Sequence, residues 1–224
     1  MSRLEKLRGL SKDDNYIWLL AALLILFFGG ALADQLDNSL LRRLTGFSIT
    51  AVLLVAVWSL ERGRFPFSSR VGITLLFLGI EGSEFLFEHL DMTTVHLAVM
   101  LLFSILTIAV ASRQVLLTGA VDGNKIIGAI CIYLLMGLSW AIAYLLVENI
   151  FPGSIPALAD ESWRSGLQEA VYFSYVSLTT LGFGDISPTQ PLARCLTYLQ
   201  AIAGQFYVAI VVASLIGARM TNRE

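Results

Sequence analysis

The chain has 224 residues, of which 56% are hydrophobic and 14% are charged, and its mean hydropathy is +0.74. A typical soluble domain is about 45–50% apolar and about 25% charged, so this composition excludes a soluble enzyme and a disordered chain. The formal net charge of −2 supplies no basic surface for nucleic acid. Both cysteines, Cys131 and Cys195, lie in apolar runs and are expected to be small buried side chains, not a disulfide or a metal site. The composition predicts an integral membrane protein.

Six apolar stretches are long enough to cross a bilayer, which takes about 20 mostly apolar residues. In chain order these stretches are Tyr16–Leu36, Leu44–Leu60, Val71–Leu90, Val95–Ala111, Ile126–Val147 and Leu192–Ala218. A seventh apolar stretch near Gly166–Thr180 is too short to span. The apolar pattern breaks at residues 119–124, which predicts a four-helix domain over residues 1–120 and a two-helix domain over residues 121–224.

The positive charges predict an orientation. With the N-terminus in the cytoplasm, eleven Lys and Arg residues lie in cytoplasmic segments, whereas Arg42, Arg43, Arg164 and Arg194 lie outside. Cytoplasmic loops are enriched in Lys and Arg, so we expect a multi-pass protein of the plasma (cell inner) membrane with both termini cytoplasmic. About six residues follow the last span, so no cytoplasmic ligand domain is expected in this chain.

One motif carries the chemistry. Thr-Thr-Leu-Gly-Phe-Gly-Asp, residues 179–185, follows an apolar half-helix predicted over Leu167–Leu178. Rings of backbone carbonyls can replace the hydration shell of a potassium ion. A strand with all its carbonyls on one axis needs left-handed backbone, which Gly182 and Gly184 adopt without steric cost. Non-helical backbone at membrane depth is tolerated where it is buried in protein or lines a watery cavity, and the negative end of the half-helix favours a cation there.

Residues 180–185 resemble the potassium-channel filter signature Thr-Val-Gly-Tyr-Gly-Asp, with two conservative changes. The resemblance covers roughly residues 124–218 and is only topological over the first 120. It implies an all-α polytopic protein with a re-entrant pore helix and filter between its fifth and sixth transmembrane helices, assembled as a homotetramer. It implies potassium sites formed by the Thr180 hydroxyl and by the carbonyls of Thr180, Leu181, Gly182 and Phe183, with Gly184 completing the filter. No cofactor is expected beyond the permeant ion.

The departures from the signature concern the support of the filter. Family members often carry Tyr at the position of Phe183, braced by an indole or hydroxyl from the half-helix, where this chain has Tyr172 and Phe173. We therefore expect a filter held more by packing than by a cuff of polar side chains. Val176 stands where some channels have a glutamate that pairs with the filter aspartate. Asp185 should then stay ionised near neutral pH, within reach of Tyr172, and concentrate cations at the outer mouth.

Gly204 lies nineteen residues beyond Asp185, which matches the glycine about which the inner helix of this family bends. Close helix packing is the alternative explanation for a glycine within a membrane helix. The resemblance also implies that Gln205 lines the cavity beneath the filter. Beyond it, three apolar residues recur every four positions on one helix face, able to close the pore by dewetting or, alternatively, to face lipid or other helices: Val208, Val212 and Ile216.

The first four helices lack a conventional voltage sensor. Each charge moved across the membrane supplies only about 2.3 kcal/mol per 100 mV, so a sensor needs several repeated cations. The fourth span has His96 near its outer end and no Lys or Arg, with Arg113 alone at its inner edge. We expect little voltage dependence of opening.

Three carboxylates share one face of the third span: Glu81, Glu84 and Glu88. Ionisable residues inside a membrane are costly and point to a function. They could pair with Arg42 and Arg43, they could sense protons or divalent cations together with His96, or the third helix could be partly wet.

The predicted function is passive, selective potassium permeation in the membrane. An enzyme is not expected, because the sequence has no paired acid–base group, metal-ligand spacing or nucleotide loop. Three alternatives remain open: a weakly selective monovalent cation channel, a potassium-transporter-type subunit, and a non-conducting subunit or sensor. The expected partners are three further copies of the chain and membrane lipids, and Arg62, Arg64 and Arg70 could contact anionic headgroups or simply set the orientation.

Overall fold

The computed structural model describes residues 15–36, 49, 51–52, 54–55, 79, 93–117, 123–159, 163–213 and 217. These residues are helical with connecting turns, and they include no strand. The helices are α1 (Asn15–Gln35), α2 (Thr93–Leu117), α3 (Gly123–Ile150), a short 3-10 turn (Pro156–Leu158), α4 (Leu167–Leu178) and α5 (Pro191–Phe206), which continues as a π-helix over Tyr207–Val212.

Three of these helices are long and apolar enough to cross a membrane, over Tyr16–Ala33, Thr93–Val115 and Gly123–Ile150. They correspond to the first, fourth and fifth predicted spans, so the prediction of a helical membrane protein is confirmed. Most of the second predicted span and all but one residue of the third lie outside the described residues, and the total of six spans stays a prediction. Helix α4 has the bounds that the sequence predicted for the half-helix.

Helix α3 is the centre of the described structure. Helices α1, α2 and α4 all pack against it, and its inward side chains include several that are fully buried, among them Leu135, Leu138, Ile142 and Tyr144. Cys131 is buried there as expected, with its thiol donating to the Tyr16 carbonyl of α1 at 3.5 Å, whereas Cys195 on α5 is only half-buried.

Two side-chain hydroxyls of α4 form hydrogen bonds to the backbone of α3. Ser174 donates to the Gly137 carbonyl at 2.6 Å, and the Tyr175 hydroxyl donates to the Leu134 carbonyl. Gly137 makes this approach possible, because a Cβ there would lie 2.3 Å from the Tyr175 ring. The absence of a side chain at this crossing therefore lets the aromatic ring of α4 lie directly on the backbone of α3.

The turn after α3 is tied to both of its neighbours. The buried Glu148 carboxylate accepts the backbone N–H of Gly153 at 2.6 Å and that of Ile155 at 2.7 Å. From the other side, Thr189 donates its N–H to the Ser154 carbonyl at 2.9 Å and its hydroxyl to the Gly153 carbonyl at 2.5 Å. The segment that leads from α4 into α5 is thus anchored to the end of α3.

Candidate functional site

The chain leaves α4 with its N–H groups bonded back to that helix. The N–H of Thr180 donates to the Ser177 carbonyl at 3.0 Å, and the N–H groups of Leu181 and Gly182 both donate to the Val176 carbonyl, at 2.9 and 3.3 Å. Val176 therefore supports the following segment through its backbone oxygen. These bonds satisfy carbonyls that a helix C-terminus otherwise leaves without partners.

Residues 180–184 are called the filter segment here, and the carbonyl oxygens of this segment differ from its N–H groups in their hydrogen bonding. Within the described part of the chain, no hydrogen bond uses the carbonyl oxygens of Thr180, Leu181, Gly182 or Phe183. Every residue of the filter segment is exposed in the single chain. These exposed carbonyl oxygens are therefore available as acceptors or ligands for a group from outside the chain.

Three residues of the filter segment have left-handed backbone: Thr180 at φ 59°, Gly182 at 60° and Gly184 at 81°. The two glycines adopt this conformation without cost, whereas for a β-branched residue it costs of the order of 1–3 kcal/mol. The sequence motif predicted left-handed backbone at the two glycines, but it did not predict this conformation at Thr180. The Thr180 hydroxyl, predicted to bind an ion, donates to the Thr179 carbonyl at 2.6 Å and accepts the Gln205 amide at 3.3 Å.

The outer end of the filter segment is held by one hydroxyl. Tyr172 donates to Asp185 Oδ2 at 2.6 Å, while Asp185 Oδ1 accepts the N–H of Ile186 at 3.0 Å. These bonds, first of all that from Tyr172, lower the pKa of the Asp185 carboxyl below its ordinary value. The Phe183 ring lies nearly parallel to the Tyr172 ring, with centroids 6.5 Å apart and planes 6° apart.

The second expected bracing residue, Phe173, faces away from the filter segment. Its ring is buried against Tyr144 of α3, with centroids 4.8 Å apart. The structure therefore brings Tyr172, Phe183 and Asp185 together and places Phe173 in the contact between α4 and α3. The sequence placed Tyr172 within reach of Asp185, but it did not indicate that Phe173 packs on α3.

On α5, Gly204 is in direct contact with the end of α4. A Cβ at this position would lie 2.2 Å from the Leu178 carbonyl oxygen, so the two helices approach more closely than any other residue allows. Close packing accounts for this glycine in the structure, and its role as a hinge stays a prediction. Gln205 lies next to the inner end of the filter segment through its bond to Thr180.

The remaining predicted residues are described only in part. Val208 is exposed on the π-helix, whereas the side chain of Val212 and all of Ile216 lie outside the described residues, so the closing ring stays a prediction. Also outside them are the acidic face and its predicted partners: Glu81, Glu84, Glu88, Arg42 and Arg43. His96 is buried on α2, 5.1 Å from the ring of Trp163 in the loop before α4.

One polar cluster was missed at the sequence level. Gln200 on α5 is fully buried, and its amide bonds to Tyr144 of α3 and to Ser174 of α4. A polar side chain within an otherwise apolar span was the available signal. Glu148, which holds the turn after α3, was also missed, and a carboxylate at the end of a predicted span was the corresponding signal.

Comparison with known proteins places this site within a matched segment. Residues 127–220 match a family model described as "Ion channel". Over 95 residues the chain is 36% identical to a curated protein named "Inward rectifier potassium channel Kirbac3.1" from Paramagnetospirillum magnetotacticum. That alignment covers 41% of this chain and 28% of the relative, so the chain spans less than a third of the relative's length. No solved structure matches the chain.

Proposed function

We propose, on the premise that residues 127–220 form an ion-channel domain of the potassium-channel pore-loop family, that the protein is a selective potassium channel. In this proposal dehydrated potassium ions cross in single file past the carbonyl oxygens of residues 180–183. The transport is passive, and the chain is a channel subunit and not an enzyme.

The observation that carries the proposal is the difference between the N–H groups and the carbonyl oxygens of the filter segment in their hydrogen bonding. Its first three N–H groups are bonded to α4, while four successive carbonyls have no hydrogen bond within the described residues. A cation needs such oxygens in place of its hydration water. Because α4 ends at this segment, the partial negative charge of its C-terminus adds to the attraction.

A closed ring of oxygens requires further copies of the chain. One chain supplies one row of carbonyls, and exposed backbone of this kind is tolerated at membrane depth only where it lines a cavity within protein. Four copies around a common axis would bury the filter segment and surround the ion, and cyclic symmetry of this kind is common in homo-oligomers. In this arrangement α4 is a re-entrant pore helix, α3 the outer helix and α5 the inner helix.

The finer features of the proposal follow from the sequence. They are six membrane spans, both termini in the cytoplasm, a potassium-conducting homotetramer in the plasma (cell inner) membrane, and an inner gate formed by Val208, Val212 and Ile216. Opening should depend little on voltage, since Arg113 is the one Lys or Arg of α2. The acidic face of the third span is left with the three roles stated above.

Flux into proteoliposomes tests the proposal. Purified protein is reconstituted with high potassium inside and with low potassium and high sodium outside, and the reversal potential and the mass of the assembly are measured. A selective potassium channel gives a reversal potential close to the potassium equilibrium value and a mass of four chains. Gly182→Ala, which places a Cβ on left-handed backbone, should abolish this selectivity.

Other outcomes contradict the proposal in distinguishable ways. Equal permeability to potassium and sodium would indicate a weakly selective cation channel. Saturable potassium uptake without single-channel events would indicate a transporter-type subunit. Absence of flux from an intact tetramer would indicate a non-conducting subunit.

A further inference from the structure

Gln200 makes three hydrogen bonds in the interior of the protein. Its Oε1 accepts the Tyr144 hydroxyl at 2.6 Å, and its Nε2 donates to the Ser174 carbonyl at 3.0 Å and to the Ser174 hydroxyl oxygen at 2.8 Å. The Ser174 hydroxyl in turn donates to the Gly137 carbonyl at 2.6 Å. One side-chain amide thus links α3, α4 and α5 through one accepted and two donated hydrogen bonds.

The same face of α5 makes a second contact with α4, one helical turn further along both helices. Gly204 lies one turn beyond Gln200, and Leu178 lies one turn beyond Ser174. Where Gln200 bonds to Ser174, Gly204 lies against the Leu178 carbonyl, at a distance that leaves no room for a Cβ. The two contacts together fix the position of α4 along α5 as well as its distance from it.

The bonded stretch of α4 is also the stretch that holds the filter segment. The Val176 carbonyl, which receives the N–H groups of Leu181 and Gly182, lies two residues after Ser174 and two before Leu178. Any shift of this turn moves the acceptor that holds the inner half of the filter segment. A displacement of α5 relative to α4 is therefore transmitted to the filter segment through at most a few bonds.

We propose that Gln200 is a positioning residue of the channel: its amide sets the height of the pore helix against the inner helix and thereby the geometry of the filter segment. The inference rests on the proposed function and adds a determinant of selectivity outside the filter motif. Gln200 does not touch the ion path in this proposal. It acts through Ser174 and the end of α4.

The test removes the bonds one at a time. Gln200→Leu removes all three bonds of the amide while it keeps a side chain of similar size. Of the bonds of the amide, Tyr144→Phe removes only the one to α3, together with the hydrogen bond between that hydroxyl and Thr197 of α5. Ser174→Ala removes the two bonds of the hydroxyl while the backbone acceptor remains. Ser139→Ala is the matched control, because that buried hydroxyl bonds within α3 to the Leu135 carbonyl and joins no second helix.

Two readouts separate positioning from a merely structural role. We expect Gln200→Leu to raise the sodium-to-potassium permeability ratio at least threefold and to speed current decay at constant voltage, with smaller changes of the same sign in Ser174→Ala. Ser139→Ala should leave both unchanged. Lower thermal stability with an unchanged permeability ratio and decay rate would overturn the proposal.

A second measurement does not depend on conduction. Hydrogen exchange at the amides of Thr180, Leu181 and Gly182, followed by mass spectrometry, should be several times faster in Gln200→Leu than in Ser139→Ala. If Gln200→Leu does not assemble, Tyr144→Phe and Ser174→Ala are measured in the same way. Failure of the wild-type protein to select potassium contradicts the proposed function, whereas equal exchange in these variants and the control contradicts the role of Gln200.

Discussion

Replacing Gly204 by alanine distinguishes the two roles considered for this glycine. The added Cβ would lie 2.2 Å from the Leu178 carbonyl oxygen and 2.9 Å from Leu178 Cδ1. A side chain can rotate away, but the carbonyl belongs to the backbone at the end of α4. Either α5 or α4 must therefore move, and the filter segment begins two residues after Leu178.

The expected magnitude comes from two opposing effects. Alanine is favoured over glycine within a helix by about 1 kcal/mol. Overpacking costs about 1–3 kcal/mol, and a contact with backbone belongs at the upper end of that range. The net loss of stability is then about 2 kcal/mol per chain, which for a chain of this length corresponds to a Tm lower by about 4–8 °C.

Thermal unfolding of the detergent-solubilised protein, followed by size-exclusion chromatography, measures this change. Gly29→Ala on α1 is the control, because a Cβ there meets no atom within 4 Å and should leave Tm unchanged or slightly higher. A Gly204→Ala variant as stable as the wild type, with reduced opening, would refute the packing argument and favour the hinge.

Two further predictions concern the outer end of the filter segment, and a third concerns the turn after α3. The bond from Tyr172 lowers the pKa of the Asp185 carboxyl, so at neutral pH the carboxylate is charged and accepts this bond. The stabilisation that the bond gives is lost only as pH falls below the ordinary carboxyl pKa of about 4. In Tyr172→Phe the pKa rises, and recordings at a series of external pH values should show acid suppression of conductance beginning at a higher pH than in wild type. Phe183→Tyr adds a hydroxyl to the ring that lies along Tyr172, while Phe173 is buried against Tyr144 and offers it no partner, so inactivation should change about twofold. Unchanged stability and inactivation would contradict a role for the packing of this ring. Glu148→Gln leaves one of two backbone N–H groups unsatisfied and should cost about 1.5–3 kcal/mol in thermal unfolding, unlike Glu169→Gln on an exposed position, and equal Tm values would show that the turn does not depend on the carboxylate.

Membrane residence, the helical class and the bounds of α4 could be predicted from the sequence alone. Long apolar runs have few alternatives to a spanning helix, because backbone polar groups must be satisfied within the segment. The need for glycine in the filter motif could also be predicted, because the left-handed backbone conformation that favours glycine is observed at both Gly182 and Gly184. These properties depend on residues that are close together in the chain.

The tertiary structure decided which side chains meet across helices. The hydroxyl of Tyr172 indicated this residue as a partner for Asp185, but the burial of the Phe173 ring against Tyr144 depends on how α4 is rotated against α3. The bond between Gln200 and Ser174 joins residues 26 positions apart, and no local periodicity reports it. Contacts of this kind depend on the relative height and rotation of packed helices, which are set by the whole of their shared surface.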